Sequence, residues 1–478
     1  MSLIQFQNSE VVPLNGQSTY QSRAGTFNLQ FEIAGAQNMA LDLDSIRLIC
    51  EVDYLSGSGQ HLNNFNIYRA GIDQGSGAAT AATNAPVPAF VDGEQPFVDV
   101  DCRTGVNTIV NSVLWQDSEN NTLEHVYSYP HLMNKVCSLT MSKDDMLTWA
   151  GSKYGIKSGG KSLINQMAIN STQDVALKLY TGISQSAPMP YSICKGKMKL
   201  QVQLNSSSSV FHSGDNYGAN FGLGNGRAAS DGGCFYQIKN VKLVYKNLVF
   251  EDDQAPILKA GYTYKHFNTL QSTINSSNNT NIYNPNSSNA ISILTSFIPS
   301  ENLNNYSKNS IQSGYLKNTL SNAAGVYPQN APQSVKINSV DFLKNNVSFP
   351  LSYPIDESIY TKNNDGLNNY EVQRSFYYLS TLTPYHLLNK TLVQPSTENY
   401  GPFDEARSPD FNIPCSAGCG IRYANVSSED GTSFQNGQNF QQRINSGLNG
   451  TLVNEMFSNV LSTKRIIPTS AQGPVVLS

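Results

Sequence analysis

Residues 155–162 read Gly-Ile-Lys-Ser-Gly-Gly-Lys-Ser and fit G-x-x-x-x-G-K-[ST], the sharpest match in this chain to a motif with a chemical mechanism. In a phosphate-binding loop, Gly155, Gly160, Lys161 and Ser162 would wrap phosphate oxygens between a buried parallel strand and a helix. The surrounding sequence does not supply that setting. The preceding DDMLTWAGSKY is neither β-branched nor a continuous apolar run, and no downstream apolar run ends in an Asp able to hold magnesium. The stretch therefore reads as a Gly/Ser/Lys loop.

Cys415 and Cys419 have C-x3-C spacing, but no second Cys/His pair follows, and His386 lies 29 residues upstream of Cys415. A structural zinc site needs four ligands, so two lone thiols in a turn are the better account. Seven cysteines, Cys50, Cys102, Cys137, Cys194, Cys234, Cys415 and Cys419, are too few and too scattered for a disulfide framework. Free thiols are expected. The six histidines (His61, His125, His131, His212, His266 and His386) show no H-x-x-x-H or catalytic spacing. Asp144-Asp145 and Asp252-Asp253 read as helix-start or turn acids, and no nucleophile elbow appears. Acids distant in sequence can still pair, so spacing alone leaves a glycoside hydrolase open. No catalytic, cofactor-binding or metal residue is assigned, and no cofactor is expected.

The bulk composition narrows the classes further. Charged residues are 14% of the 478, against ~25% in an ordinary globular protein. Asn (53) and Ser (56) together fill 109 positions, yet hydrophobic residues still reach 39% and aromatics 10%, enough to build cores. Lys+Arg 31 against Asp+Glu 35 leaves no basic surplus for phosphate neutralisation, so nucleic-acid binding is not expected. No run approaches ~18 apolar residues, so no membrane span is expected. The opening MSLIQFQNSEVVPLNG has neither a basic start nor an apolar core, so no secretory signal is expected. Eleven N-glycosylation sequons stand against roughly nine expected by chance, which decides nothing.

The elements that would position any site are strands. Strict apolar alternation marks Phe27–Ile33, Ile46–Tyr54, Met198–Leu204, Val241–Tyr245 and Ile291–Phe297, with Val335/Ile337 and Val340/Phe342 beyond. Such one-sided alternation belongs to antiparallel sheets packed face to face. Residues 55–90, 205–233 and 271–290 are rich in Gly, Ser and Asn and read as long surface loops. The first two carry aromatics and aliphatics and are expected at subunit contacts, with 271–290 the more solvated. Two stretches look helical, 121–150 broken by Pro130 and 368–389 broken by Pro384. Each half opens with alternating strands, passes a Tyr-rich helical stretch and returns to strands, a repeat offset by about 240 residues. The acidic EDDQAP at 251–256 is the natural boundary. The expected division is an irregular N-terminal arm over 1–25, a first sandwich over 26–255 and a second over 256–478.

This order of features resembles the double jelly-roll major capsid proteins of polinton-like viruses and virophages. EHVYSYPHLMNKVCSLTMSKDDM is similar to that family's interrupted helical insertion, and PMPYSICKGKMKLQVQLNSSSSVF to its Pro-led segment feeding a long strand. YQIKNVKLVYKNLVFED resembles the strand that closes the first jelly roll. SVKINSVDFLKNNVSFPLSYP, RSFYYLSTLTPY and STKRIIPTSAQGPVVLS echo the plan in the second half. The resemblance implies an all-β chain of two consecutive eight-stranded jelly-roll β-sandwiches with short helical insertions and long loops. It implies a non-enzymatic shell subunit of an icosahedral double-stranded DNA virus, placed in the virion and assembled in the host cytoplasm or nucleus. The implied partners are two further copies in a homotrimer, neighbouring capsomers, and penton and minor capsid proteins. The competing reading is a carbohydrate-binding β-sandwich attachment or fibre protein, since Tyr/Asn-rich loops suit sugars.

Overall fold

Alternating segments become strands, and their inward rows become cores. The computed structural model describes residues 3–25, 27–55, 59, 61, 99–100, 104–140, 172–212, 235–251, 261–285, 287–304, 310–311, 337–350, 352, 354–356, 418–423, 430–435, 437–446, 453–469 and 473–477. Strand Asn28–Ala34 buries Leu29, Phe31 and Ile33 and turns the intervening residues outward. Strand Lys197–Leu204 does the same with Met198, Leu200, Val202 and Leu204. The two pair antiparallel with Leu200 opposite Phe31, and Val110–Asp117 and then Thr122–Val126 extend the sheet. Facing them is an outer sheet in the order Leu3–Val11, Phe235–Phe250, Met39–Leu55, Gln173–Lys178. Between the layers lie Ile33, Leu48, Val52, Trp115, Val202, Ile238 and Leu243, all nearly or fully removed from water. Each such large apolar side chain contributes about 1.5–3 kcal/mol.

The inner sheet does not stop at the first sandwich. Past Thr122–Val126 it continues through Tyr262–Ile274, Asn454–Thr469, Ala290–Pro299 and Gly418–Arg422. The join is a single parallel bridge, Asn268 opposite His125; every other ladder among the described residues is antiparallel. The second sandwich closes when Asn278–Tyr283, Phe440–Ser446, Ile337–Lys344 and Val347–Ser348 face this continuation. Its core holds Ile274, Ile293, Phe297, Val340, Phe342, Ile444 and Met456. Phe434 meets Phe440 edge-on at 5.7 Å and Tyr423 edge-on at 5.5 Å, the aromatic geometry favoured by ring quadrupoles.

Several sequence expectations change. The N-terminal segment is not irregular: Leu3–Val11 is a nine-residue strand paired with Phe235–Phe250, and Thr19–Gln21 adds a second short pairing. Its backbone finds an open sheet edge although its side chains find little burial, with Leu3 and Phe6 exposed. Residues 271–290 are not a free loop. They complete strand Tyr262–Ile274 and form Asn278–Tyr283, which pairs along Phe440–Ser446 because backbone groups pair whatever the polarity of the side chains. Ala290–Pro299 is buried at all ten residues rather than on one face. Ile293 and Phe297 enter the second core, while Leu294 on the opposite row joins the first. The helical stretch begins later than expected: Thr122–Val126 is a strand, and Pro130 sits in the first turn of helix Tyr129–Thr140, where its missing N–H costs nothing, while residues 141–150 lie outside the described residues. Residues 368–389 and most of 55–90 and 213–233 lie outside the described residues.

Candidate functional site

The best-defined polar constellation is the seam where the two sandwiches share their sheet. Glu124 lies on the inward row of Thr122–Val126, opposite Trp115, and is 2% exposed. Its Oε1 accepts the backbone N–H of Gly182 at 2.7 Å and of Phe267 at 2.6 Å, and its Oε2 accepts that of Ile183 at 2.8 Å. One carboxylate thus ties a turn of the first sandwich to a strand of the second. Burial pushes its pKa up to about 7, although the backbone N–H bonds and Thr181 pull the other way.

The same turn clasps strand Tyr262–Ile274 elsewhere. Ser186 Oγ accepts the Lys265 N–H at 2.8 Å and the Tyr262 hydroxyl donates to Ala187 O, while on strand Thr122–Val126 the Leu123 carbonyl accepts the Tyr264 hydroxyl at 3.0 Å. Gly182 makes the approach possible: a Cβ there would stand 2.4 Å from Cα of His266. Helix Tyr129–Thr140 reinforces the seam by packing on both Val110–Asp117 and Ala290–Pro299. His131 stacks on Phe457 at 4.1 Å, with the rings 9° from parallel.

Spacing along the chain did not reveal that three histidines converge here. His125 bridges to Asn268, His131 covers Phe457, and His266 lies in the clasped strand. Burial pushes His131 down to about 4 and His266 to about 3, so both stay neutral and serve as packing rings. Lys464 is also held below its ordinary value by burial, partly offset by the charge of Glu124.

A second buried carboxylate, Asp53, closes the outer sheet. It accepts the Thr172 hydroxyl at 2.6 Å and pairs with Lys239 at 2.6 Å. Burial pushes its pKa up, but bonds from Lys239 and Thr172 and the charges of Lys239 and His61 outweigh this, leaving it below its usual range. In the second sandwich Thr295, Ser458 and Gln442 form a closed neutral triangle with sides of 3.0, 2.9 and 2.7 Å.

None of these groups is arranged for chemistry on a substrate. Glu124 is enclosed and saturated by backbone donors. The buried thiols of Cys50 and Cys194 are pushed up to about 12, which leaves them un-ionised and inert. Among the described residues no group of three or more His, Cys, Asp or Glu could hold a metal ion, and no helix is long and apolar enough to cross a membrane. Gly155–Ser162, Asp144-Asp145, Asp252-Asp253, Cys415 and His386 lie outside the described residues; Cys419 sits on an edge strand opposite Thr295. His61 forms an isolated bridge to Leu55, and His212 pairs with Asp99.

No protein-family model matches the sequence, and no curated protein matches it. Solved structures do match. The chain aligns with the Faustovirus major capsid protein over 99% of its own length and 90% of that chain, with TM-score 0.56 and 9% identity. It aligns with VP54 of PBCV-1, solved as a crystal structure fitted into a cryo-EM reconstruction of the virophage Sputnik, over 100% of its length and 97% of that chain, with TM-score 0.50 and 10% identity. Two sandwiches built on one continuous sheet, superposing end to end on these chains, are the double jelly roll of viral major capsid proteins.

Proposed function

We propose that the chain is the major capsid protein of an icosahedral double-stranded DNA virus of the polinton-like or virophage kind, and that it catalyses no reaction. The observation that carries this reading is the full-length match in fold to two major capsid proteins, covering nine-tenths or more of each. The architecture suits the task. Two sandwiches tied by a shared sheet and a saturated carboxylate form a stiff two-lobed brick. Three such bricks offer six lobes for a near-hexagonal lattice site, so the working unit is a pseudo-hexameric homotrimer. The first lobe runs to residue 255 and includes the N-terminal strand Leu3–Val11 in its outer sheet, and the second spans 256–478.

Interfaces in such a shell must be wide without strong same-sign repulsion, which the 14% charge content and abundant Asn and Ser provide. Neighbouring capsomers, penton and minor capsid proteins complete the partner set. The virion shell is the protein's location, reached by assembly in the host cytoplasm or nucleus. Negative-stain microscopy of the purified protein tests the reading. Trimers with a near-hexagonal outline, or shells, are expected; a preparation holding only small monomers overturns it.

A further inference from the structure

The shared sheet has a gap at its seam. Strand Thr122–Val126 pairs with Val110–Asp117 only as far as Val126 opposite Val113, and with Tyr262–Ile274 only at Asn268. The chain then leaves the sheet through Tyr127 and Ser128 and enters helix Tyr129–Thr140. Beyond this exit, Val110–Ser112 and Thr269–Gln271 run on with no ladder partner between them among the described residues. Two strand spacings, ~9.6 Å, separate such flanking strands. The result is an open cleft of about 270 Å³ lined by Asn111, Ser112, Tyr127, Ser128, Thr269 and Gln271.

The lining has a definite chemistry: no group that is charged at neutral pH, but amides, hydroxyls and one phenol. Tyr127 is 54% exposed, and one side of its ring lies against His125 with centroids 3.7 Å apart. Burial holds His125 below its ordinary pKa, which keeps that neighbour uncharged at neutral pH. Asn111 spends one amide hydrogen on Gln203, and Gln271 spends one on Glu455. Each keeps its carbonyl oxygen and a second hydrogen for a ligand. Ser128 is held at φ 51°, an uncommon conformation for a non-glycine residue. Glu455, which also accepts from Thr273, sets a carboxylate beside the cleft and disfavours anions.

An exposed aromatic shelf with neutral paired donors and acceptors matches a pyranose, whose C–H face stacks on a ring while its hydroxyls bond to amides. We propose that this cleft is a binding subsite for one neutral sugar residue of a glycan, stacked on Tyr127 and hydrogen-bonded by Asn111, Ser128 and Gln271. The site is independent of whether the chain builds a shell.

Saturation-transfer NMR on the intact protein, with the methyl glycosides of four neutral sugars (glucose, galactose, mannose and N-acetylglucosamine) and with N-acetylneuraminic acid as the anionic control, all at millimolar concentration, tests it. At least one neutral sugar should give transfer. Tyr127→Ala should weaken binding about tenfold, whereas Tyr127→Phe, which keeps the ring, should stay within about threefold. Gln271→Ala should weaken it about two- to tenfold, the worth of one net hydrogen bond. Asn111→Ala, on the opposite wall, repeats the test should Tyr127→Ala lose its unfolding transition. Absence of transfer from all four sugars, unchanged affinity in both Tyr127→Ala and Asn111→Ala, or binding confined to N-acetylneuraminic acid would overturn the assignment.

Discussion

Replacing Glu124 by Gln tests how the seam is held, because the variant keeps the shape and removes the charge. An amide oxygen at the Oε1 position still accepts from Gly182 and Phe267, but the amide nitrogen then faces the Ile183 N–H. One buried donor left unmatched costs about 1–3 kcal/mol. The pH dependence adds a sign. The folded pKa of about 7 lies above the ordinary 4.5, so the folded chain holds this proton more tightly than the unfolded chain. The stability linked to it is fully present below pH 4.5 and is lost as pH rises through 7. Over that window the loss is on the order of 3 kcal/mol, from a displacement of about 2.5 pKa units. Gln cannot titrate. The variant should therefore be weaker than the wild type by about 1–3 kcal/mol at pH 5 and match or exceed it at pH 8. Urea unfolding followed by tryptophan fluorescence reads this directly, since Trp115 sits opposite Glu124 in the sheet. A deficit that is constant with pH, or that grows towards pH 8, would refute the reasoning, because the three N–H bonds would then outweigh burial.

Gly182→Ala should cost more than any surface change, since its Cβ would press within 2.4 Å of the backbone of His266; a melting temperature within a degree or two of wild type would contradict the clasp. Thr295→Val deprives Gln442 and Ser458 of their shared partner and should lower stability by about 1–3 kcal/mol in urea titrations, and adding Gln442→Leu should recover part of the loss. Removal of residues 2–11 strips an edge strand whose side chains are mostly exposed, so the proposed trimer should still form in sedimentation while shell assembly, followed by light scattering, weakens; a trimer formed by the full chain and lost on the deletion would show that the strand holds the capsomer together.

The strands that form the cores were legible because burial on one face imposes a period of two: Phe31, Leu48, Val202 and Leu243 mark their strands by alternation alone. Three kinds of feature were not. Leu3–Val11 and Asn278–Tyr283 bury little, so their pairing is a backbone event that side-chain patterning does not record. Ala290–Pro299 is covered on both faces, and its Ser292 and Ser296 look outward-facing until the neighbouring elements are in place. The seam joins residues distant in sequence: Glu124 and Phe267 stand 143 positions apart, and His131 and Phe457 further still. The only local trace was an acid at an inward position in TLEHV, next to a leucine and two residues before a valine. The gap that forms the sugar cleft depends on where one strand ends, which no motif encodes.

Mass in solution bears most directly on the central claim. Native mass spectrometry of the purified chain should give a dominant species at about three times 52.2 kDa, carried by protomers that superpose on capsid subunits. A chain that remains at 52.2 kDa across the micromolar range, with no trimer at any concentration, would contradict the capsomer account.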